Sequence, residues 1–102
     1  MTPAAISKVL KSLSPGDPVE ILWSDACTIA SRWMDHEDAK KLTLAMILTR
    51  GTLVGIEDGA VRVALDCGVT DNGSVGDFHG IGVIERGAIK DIAKLKRMGR
   101  SK

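Results

Sequence analysis

Several things are scarce in this chain, and each scarcity removes a class of protein. Aromatic residues make up 3% of it, as two tryptophans and one phenylalanine. No aromatic pair falls on one predicted strand, as a base-stacking sheet of the RNA-recognition type requires. The two cysteines, Cys27 and Cys67, have neither a CxxC spacing nor the density of a disulfide-stapled domain. Both are expected as reduced thiols with no bridge between them, in a cytoplasmic protein. No apolar run approaches the roughly 18–20 residues of a membrane helix, and no basic start leads into an apolar segment that would direct secretion. No membrane partner is expected. Asn72-Gly73-Ser74 matches a glycosylation sequon, which reads as chance without a secretory signal. Internal repeats and low-complexity segments are missing as well.

What remains is an ordinary globular balance: 44% hydrophobic and 26% charged residues in a chain of 102. That length holds one domain, residues 1–102, with a modest core. The net charge of +1 hides an asymmetry. Asp17, Glu20, Asp25, Asp35, Glu37 and Asp38 are opposed only by Arg32 over residues 17–38, whereas Lys90, Lys94, Lys96, Arg97, Arg100 and Lys102 are opposed only by Asp91 over residues 90–102. Such polarity marks a nucleic-acid face or two surfaces that meet in an oligomer.

The pattern centres on Glu57-Asp58-Gly59-Ala60. Asp-Gly between apolar runs predicts a two-residue type I′ hairpin, which needs positive φ at both central positions. That register pairs Ile56 with Val61, Val54 with Val63 and Thr52 with Leu65 on one face, and leaves Leu53, Gly55, Glu57, Ala60, Arg62 and Ala64 on the other. An isolated ribbon is marginal in water, so further strands must cover the apolar face.

Around this hairpin the chain reads as follows. Thr2-Pro3 caps a helix whose stripe Ile6, Val9, Leu10, Leu13 has helical spacing. The helix stops before Pro15 and serves as a lid on the core. Val19, Ile21 and Trp23 alternate with polar or exposed positions as a first strand, and Trp23 is assigned to the core. Residues 24–32 read as loop, and Asp35 caps a second short helix with Glu37 and Asp38 in its first turn. Residues 42–48 suit helix or strand and are taken as the run-in to a long second strand, bent near Gly51 or Gly55. Residues 67–77 read as an exposed loop and 78–84 as a fourth strand. Ile89, Ile92, Ala93 and Leu95 suit a helix by spacing, but a turn followed by a fifth strand is preferred, because the fourth strand needs a partner. From about residue 97 to 102 the chain is expected to fray.

No chemistry for an enzyme emerges. Asp35, His36, Glu37 and Asp38 are consecutive and point in different directions on a helix, so they read as a capped, solvated start rather than a metal site. His36 and His79 lack a nucleophile motif such as GxSxG, and Cys27 near Asp25 reads as structural. Residues 51–59 contain neither GxGxxG nor a P-loop lysine. No catalytic residue, metal or cofactor is assigned. Trp33, in the insertion after the first strand, is the candidate for a subunit interface or a stacking platform. The basic end reads first as a solvated tail and next as a phosphate contact.

A helix followed by five curving strands resembles the small Sm-like, or SH3-like, barrels. Gly16-Asp17-Pro18-Val19-Glu20-Ile21 is similar to their first-strand opening, and Ile84-Glu85-Arg86-Gly87-Ala88-Ile89-Lys90-Asp91-Ile92 to the second Sm motif. The chain also resembles short Sm-like proteins of bacteriophages and prophages with a Trp-containing insertion after strand one. The resemblance implies a mainly β, five-stranded, strongly bent barrel with an N-terminal helix and a short helical insertion after strand one. It further implies a non-enzymatic module that assembles into a homo-oligomeric ring and binds RNA or single-stranded nucleic acid. Of the family's nucleic-acid-contacting positions, Arg86 and Gly87 match; Lys90, Lys94, Lys96 and Arg97 extend that set by charge. The insertion over 25–45 and Asp58-Gly59, where the family carries an asparagine for base recognition, depart from the pattern. The alternative is a phage structural or protein-adaptor barrel that touches no nucleic acid.

Overall fold

The computed structural model describes residues 1–25 and 31–96. Cys27 and Arg97, and with them the expectations about a reduced thiol at 27 and the tail beyond 97, lie outside the described residues. The elements are α1 (Pro3–Ser12), β1 (Pro18–Ser24), α2 (His36–Lys40), β2 (Met46–Glu57), β3 (Ala60–Val69), β4 (Val75–Glu85), a 3-10 turn (Arg86–Ala88) and β5 (Ile89–Lys94). The strands form one antiparallel sheet in the order β4-β3-β2-β1-β5. The protein is mainly β, and the sheet is open between β4 and β5.

The Asp58-Gly59 turn forms as its residues demand, with φ of 52° and 71°, the two positive values a type I′ turn requires. Ile56 faces Val61 next to it. Beyond that pair the expected register fails. A bulge between Leu53 and Gly55 puts Leu53, not Val54, opposite Val63, and Thr52 opposite Ala64. An extra residue in one strand reverses the alternation on its far side. Leu53 therefore turns inward and is 1% exposed. Leu65, expected inside, lies past the last β2–β3 pair and is 69% exposed.

β2 serves two partners. Its first half pairs with β1, from Met46 opposite Ser24 to Thr52 opposite Pro18, and its second half pairs with β3. Between them a Cβ at Gly51 would stand 2.4 Å from the Ala64 carbonyl oxygen and 2.6 Å from a Val63 methyl carbon, and the irregularity in pairing follows between Leu53 and Gly55. Only glycine lets the two backbones approach so closely.

The core on the inner face comprises Val19, Ile21, Leu53, Val61, Val63, Ile84, Ile89 and Ile92, closed by Ile6 and Leu10 of α1. Thr2 caps α1, its hydroxyl accepting from the Ala5 amide at 3.1 Å, and the helix packs on β5. The expected lid is in place. Trp23 packs partly buried against the core, its indole N–H donating to the Thr49 hydroxyl at 3.0 Å. The Ser14–Asp17 turn is stitched to β2 by Gly16 and Leu53 amides donating to the Leu53 and Asp17 carbonyls, each at 2.8 Å. Asp35 caps α2, accepting from the Asp38 amide at 2.8 Å, yet α2 buries no residue.

Two further expectations are corrected. Most of residues 67–77 is not loop: β3 runs to Val69 and β4 starts at Val75, paired down to Val69 opposite Val75, because the ladder continues wherever backbone groups can pair. The fifth strand exists, but it pairs with β1 rather than β4.

Candidate interaction edges and basic residues

The open sheet leaves two strands with one ladder edge each and no strand partner there among the described residues: β4 beyond β3, and β5 beyond β1. Unpaired N–H and C=O groups along such an edge are a template for another strand. The edges differ in charge. β4 carries Asp77 and Glu85, with Asp66 of β3 beside His79, whose ring nitrogen lies 3.5 Å from the carboxylate. β5 carries Lys90, Asp91 and Lys94, with Lys96 just beyond.

The predicted basic residues do not converge on one patch. Arg86 and Gly87 occupy the 3-10 turn that leads from β4 into β5. There the Arg86 guanidinium donates to the Ser7 hydroxyl of α1 and walls the clefts on either side of that helix, of about 390 and 320 Å³. At the other end of β5, about 20 Å away by strand rise, Lys94 lies 3.6 Å from the Asp17 carboxylate. Lys90 and Lys96 are exposed, and no described acid is paired with them. Lys11 of α1 and Arg86 line one cleft together, and Lys8 lies exposed on the same helix. The sequence gives no sign that Lys11 meets Arg86, since the two lie 75 positions apart.

Trp33 is fully exposed, at 102%, so it takes no part in the chain's own packing. The apolar surface along β3 and β4 escaped sequence reading. Leu65, Ile81 and Val83 are exposed, and a groove of about 360 Å³ runs over Gly80 and Gly82, walled by Trp23, Val63, Leu65 and Ile84. The signal for the groove was present in the two-residue spacing of these glycines, which removes successive side chains from one face of a strand.

Among the described residues no group of three or more His, Cys, Asp and Glu side chains is arranged to hold a metal, and no helix is long and apolar enough to cross a membrane. Comparison of the chain with protein-family models, with curated proteins and with solved structures gives no match.

Proposed function

We propose that this chain is a non-enzymatic, Sm-like assembly module in which β4 of one copy pairs with β5 of the next to close a homo-oligomeric ring. One observation carries the reading: both ends of a single sheet are open, and the β4 edge is acidic where the β5 edge is basic. Strand addition satisfies the exposed backbone groups, a heterologous contact of this kind generates rings when its rotation closes, and opposed charges set which edge meets which. In this reading the ring resembles the assemblies of phage Sm-like proteins. It presents Lys11 and Arg86, with exposed Lys8 on the same helix, in several copies, so that individually weak phosphate contacts with RNA or single-stranded nucleic acid gain avidity.

Light scattering at micromolar concentration tests the assembly and is expected to give several times the 10.8 kDa chain mass; a monomer at every concentration overturns it. Titration of mixed-sequence RNA tests the ligand. Affinity is expected to fall with salt by a log–log slope of about −0.7 per phosphate neutralised, with little base preference, since the family's recognition asparagine is replaced by Asp58-Gly59.

A second reading, a structural or adaptor ring that binds protein alone, is favoured by the partners of Arg86 and Lys94 within the chain and by the exposed Leu65, Ile81 and Val83. A ring that fails to bind RNA at low salt selects it.

A further inference from the structure

The turn joining β3 to β4, residues 70–74, holds the chain's one asparagine, and glutamine does not occur anywhere in the sequence. Asn72 is followed by Gly73, whose lack of a side chain leaves its backbone nitrogen open to attack the preceding side-chain amide. We infer that Asn72–Gly73 is a site of spontaneous deamidation and that a clasp built on Thr70 sets its rate.

The chemistry needs only water. The Gly73 nitrogen bonds to Asn72 Cγ as the Cγ–Nδ2 bond breaks. Nδ2 leaves as ammonia with the proton the Gly73 amide gives up, and a five-membered succinimide remains. Water then opens that ring at either carbonyl, leaving an aspartyl or an isoaspartyl residue at position 72. No oxidant or reductant takes part.

Both reacting groups are held in the folded turn. The Gly73 N–H donates to the Thr70 carbonyl at 2.8 Å. Asn72 Oδ1 accepts from the Thr70 hydroxyl and from the Ser74 amide at 3.1 Å. The Ser74 amide also reaches the Thr70 hydroxyl at 3.1 Å, and the Thr70 amide donates to the Ser74 carbonyl at 2.8 Å. Ring closure swings the side-chain carbon onto the face of the Gly73 peptide, which breaks the bonds to Oδ1 and the one from Gly73. The two donors on Oδ1 would also stabilise the oxyanion of the addition step. They act only if the nucleophile can approach, and the Gly73–Thr70 bond opposes that, so restraint dominates. The reaction proceeds through openings of the ribbon end, which pairs with no third strand among the described residues.

The product changes the arm. It gains a negative charge next to Asp71, with Asp77 five positions on. The isoaspartyl form adds a main-chain atom to the turn, which is incompatible with the Thr70–Ser74 pair. Val75 follows immediately, and its Cγ2 packs at Gly16, 3.1 Å from where a Cβ would stand. The loosening is therefore passed to the α1–β1 turn. This inference is independent of ring formation and of nucleic-acid binding.

The test follows the intact mass of the full chain during prolonged incubation in warm, mildly alkaline buffer. Since Asn72 is the one side-chain amide, any exchange of NH2 for OH reports position 72 alone. Folded wild-type protein is expected to convert slowly and denatured protein faster. Thr70→Val is expected to accelerate the folded protein about fivefold for each hydrogen bond lost, while Thr70→Ser keeps the hydroxyl and the wild-type rate. Asn72→Gln, whose ring closure would be six-membered, should show no gain on the same timescale. A Thr70→Val rate equal to or below wild type overturns the clasp. A denatured chain that does not convert, or a folded one that converts equally fast, overturns the inference altogether.

Discussion

Two glycines four positions apart in β2 show how differently the same residue type can be constrained. Gly51 sits under the Ala64 carbonyl, with 2.4 Å available to a Cβ, whereas a Cβ at Gly55 would meet nothing within 4 Å. Backbone cannot yield as a flexible side chain can, so Gly51→Ala must push β3 away from β2, at an overpacking cost of about 1–3 kcal/mol. Gly55→Ala fills open space and should be close to neutral. Denaturant midpoints of the two variants check this; equal midpoints would mean that β3 does not pass so close to Gly51. The sequence offers both glycines without showing which is crowded, because the difference arises from Ala64 on the neighbouring strand. Trp33 makes the complementary point: its full exposure leaves it without a role in the packing of the described residues.

Elements bounded by local chemistry were legible, and those bounded by pairing were not. Thr2-Pro3, Asp35 and Asp58-Gly59 act through their own backbone neighbours, so both helices and the central turn fall where these residues put them. Replacing Gly59 with valine puts a β-branched side chain at φ 71° and should destabilise by about 1 kcal/mol or more. The bulge at Val54 left no mark in the hydropathy pattern, since Leu53 and Val54 are equally apolar, and it moved Leu53 into the core. The lengths of β3 and β4 were underestimated because the segment around Gly68 and Gly76 has little apolar alternation, while its backbone groups pair regardless. The partner of β5 was misassigned for the same reason: pairing order is settled by closure of the core, with Ile92 opposite Ile21. The lid is testable at this scale. Ile6, on the inward face of α1, is 6% exposed, and Ile6→Ala should cost about 2–5 kcal/mol, seen as a fall in thermal midpoint with loss of little strand signal by circular dichroism. A negligible shift would mean that α1 is not seated on β5.

At the scale of the molecule, the question is what satisfies the two open edges. Charge offers a way to test the proposed β4–β5 junction without disturbing the core, provided the residues changed do not already serve the fold. Lys94 fails that condition, since it faces Asp17 within the chain at 3.6 Å. Lys90, Asp77 and Glu85 are exposed, and no ion pair joins any of them to another described residue. Lys90→Glu makes the β5 edge acidic toward an acidic β4 edge. It should shift the assembly toward monomer at low salt, with partial recovery as salt screens the repulsion. Asp77→Lys with Glu85→Lys reverses the other edge and should weaken assembly in the same way. Rim charges in water contribute modestly, about 0–1 kcal/mol per pair, but a closed ring repeats each junction in every copy, so the effect on assembly is multiplied. The decisive measurement combines the two sets. A triple variant carrying Lys90→Glu, Asp77→Lys and Glu85→Lys should assemble nearly as well as wild type, and at low salt either single-edge variant should co-assemble with wild type better than with itself, because half the junctions of a mixed ring keep opposed charges. Loss of assembly that is not restored in the triple variant would show that these edges do not meet each other.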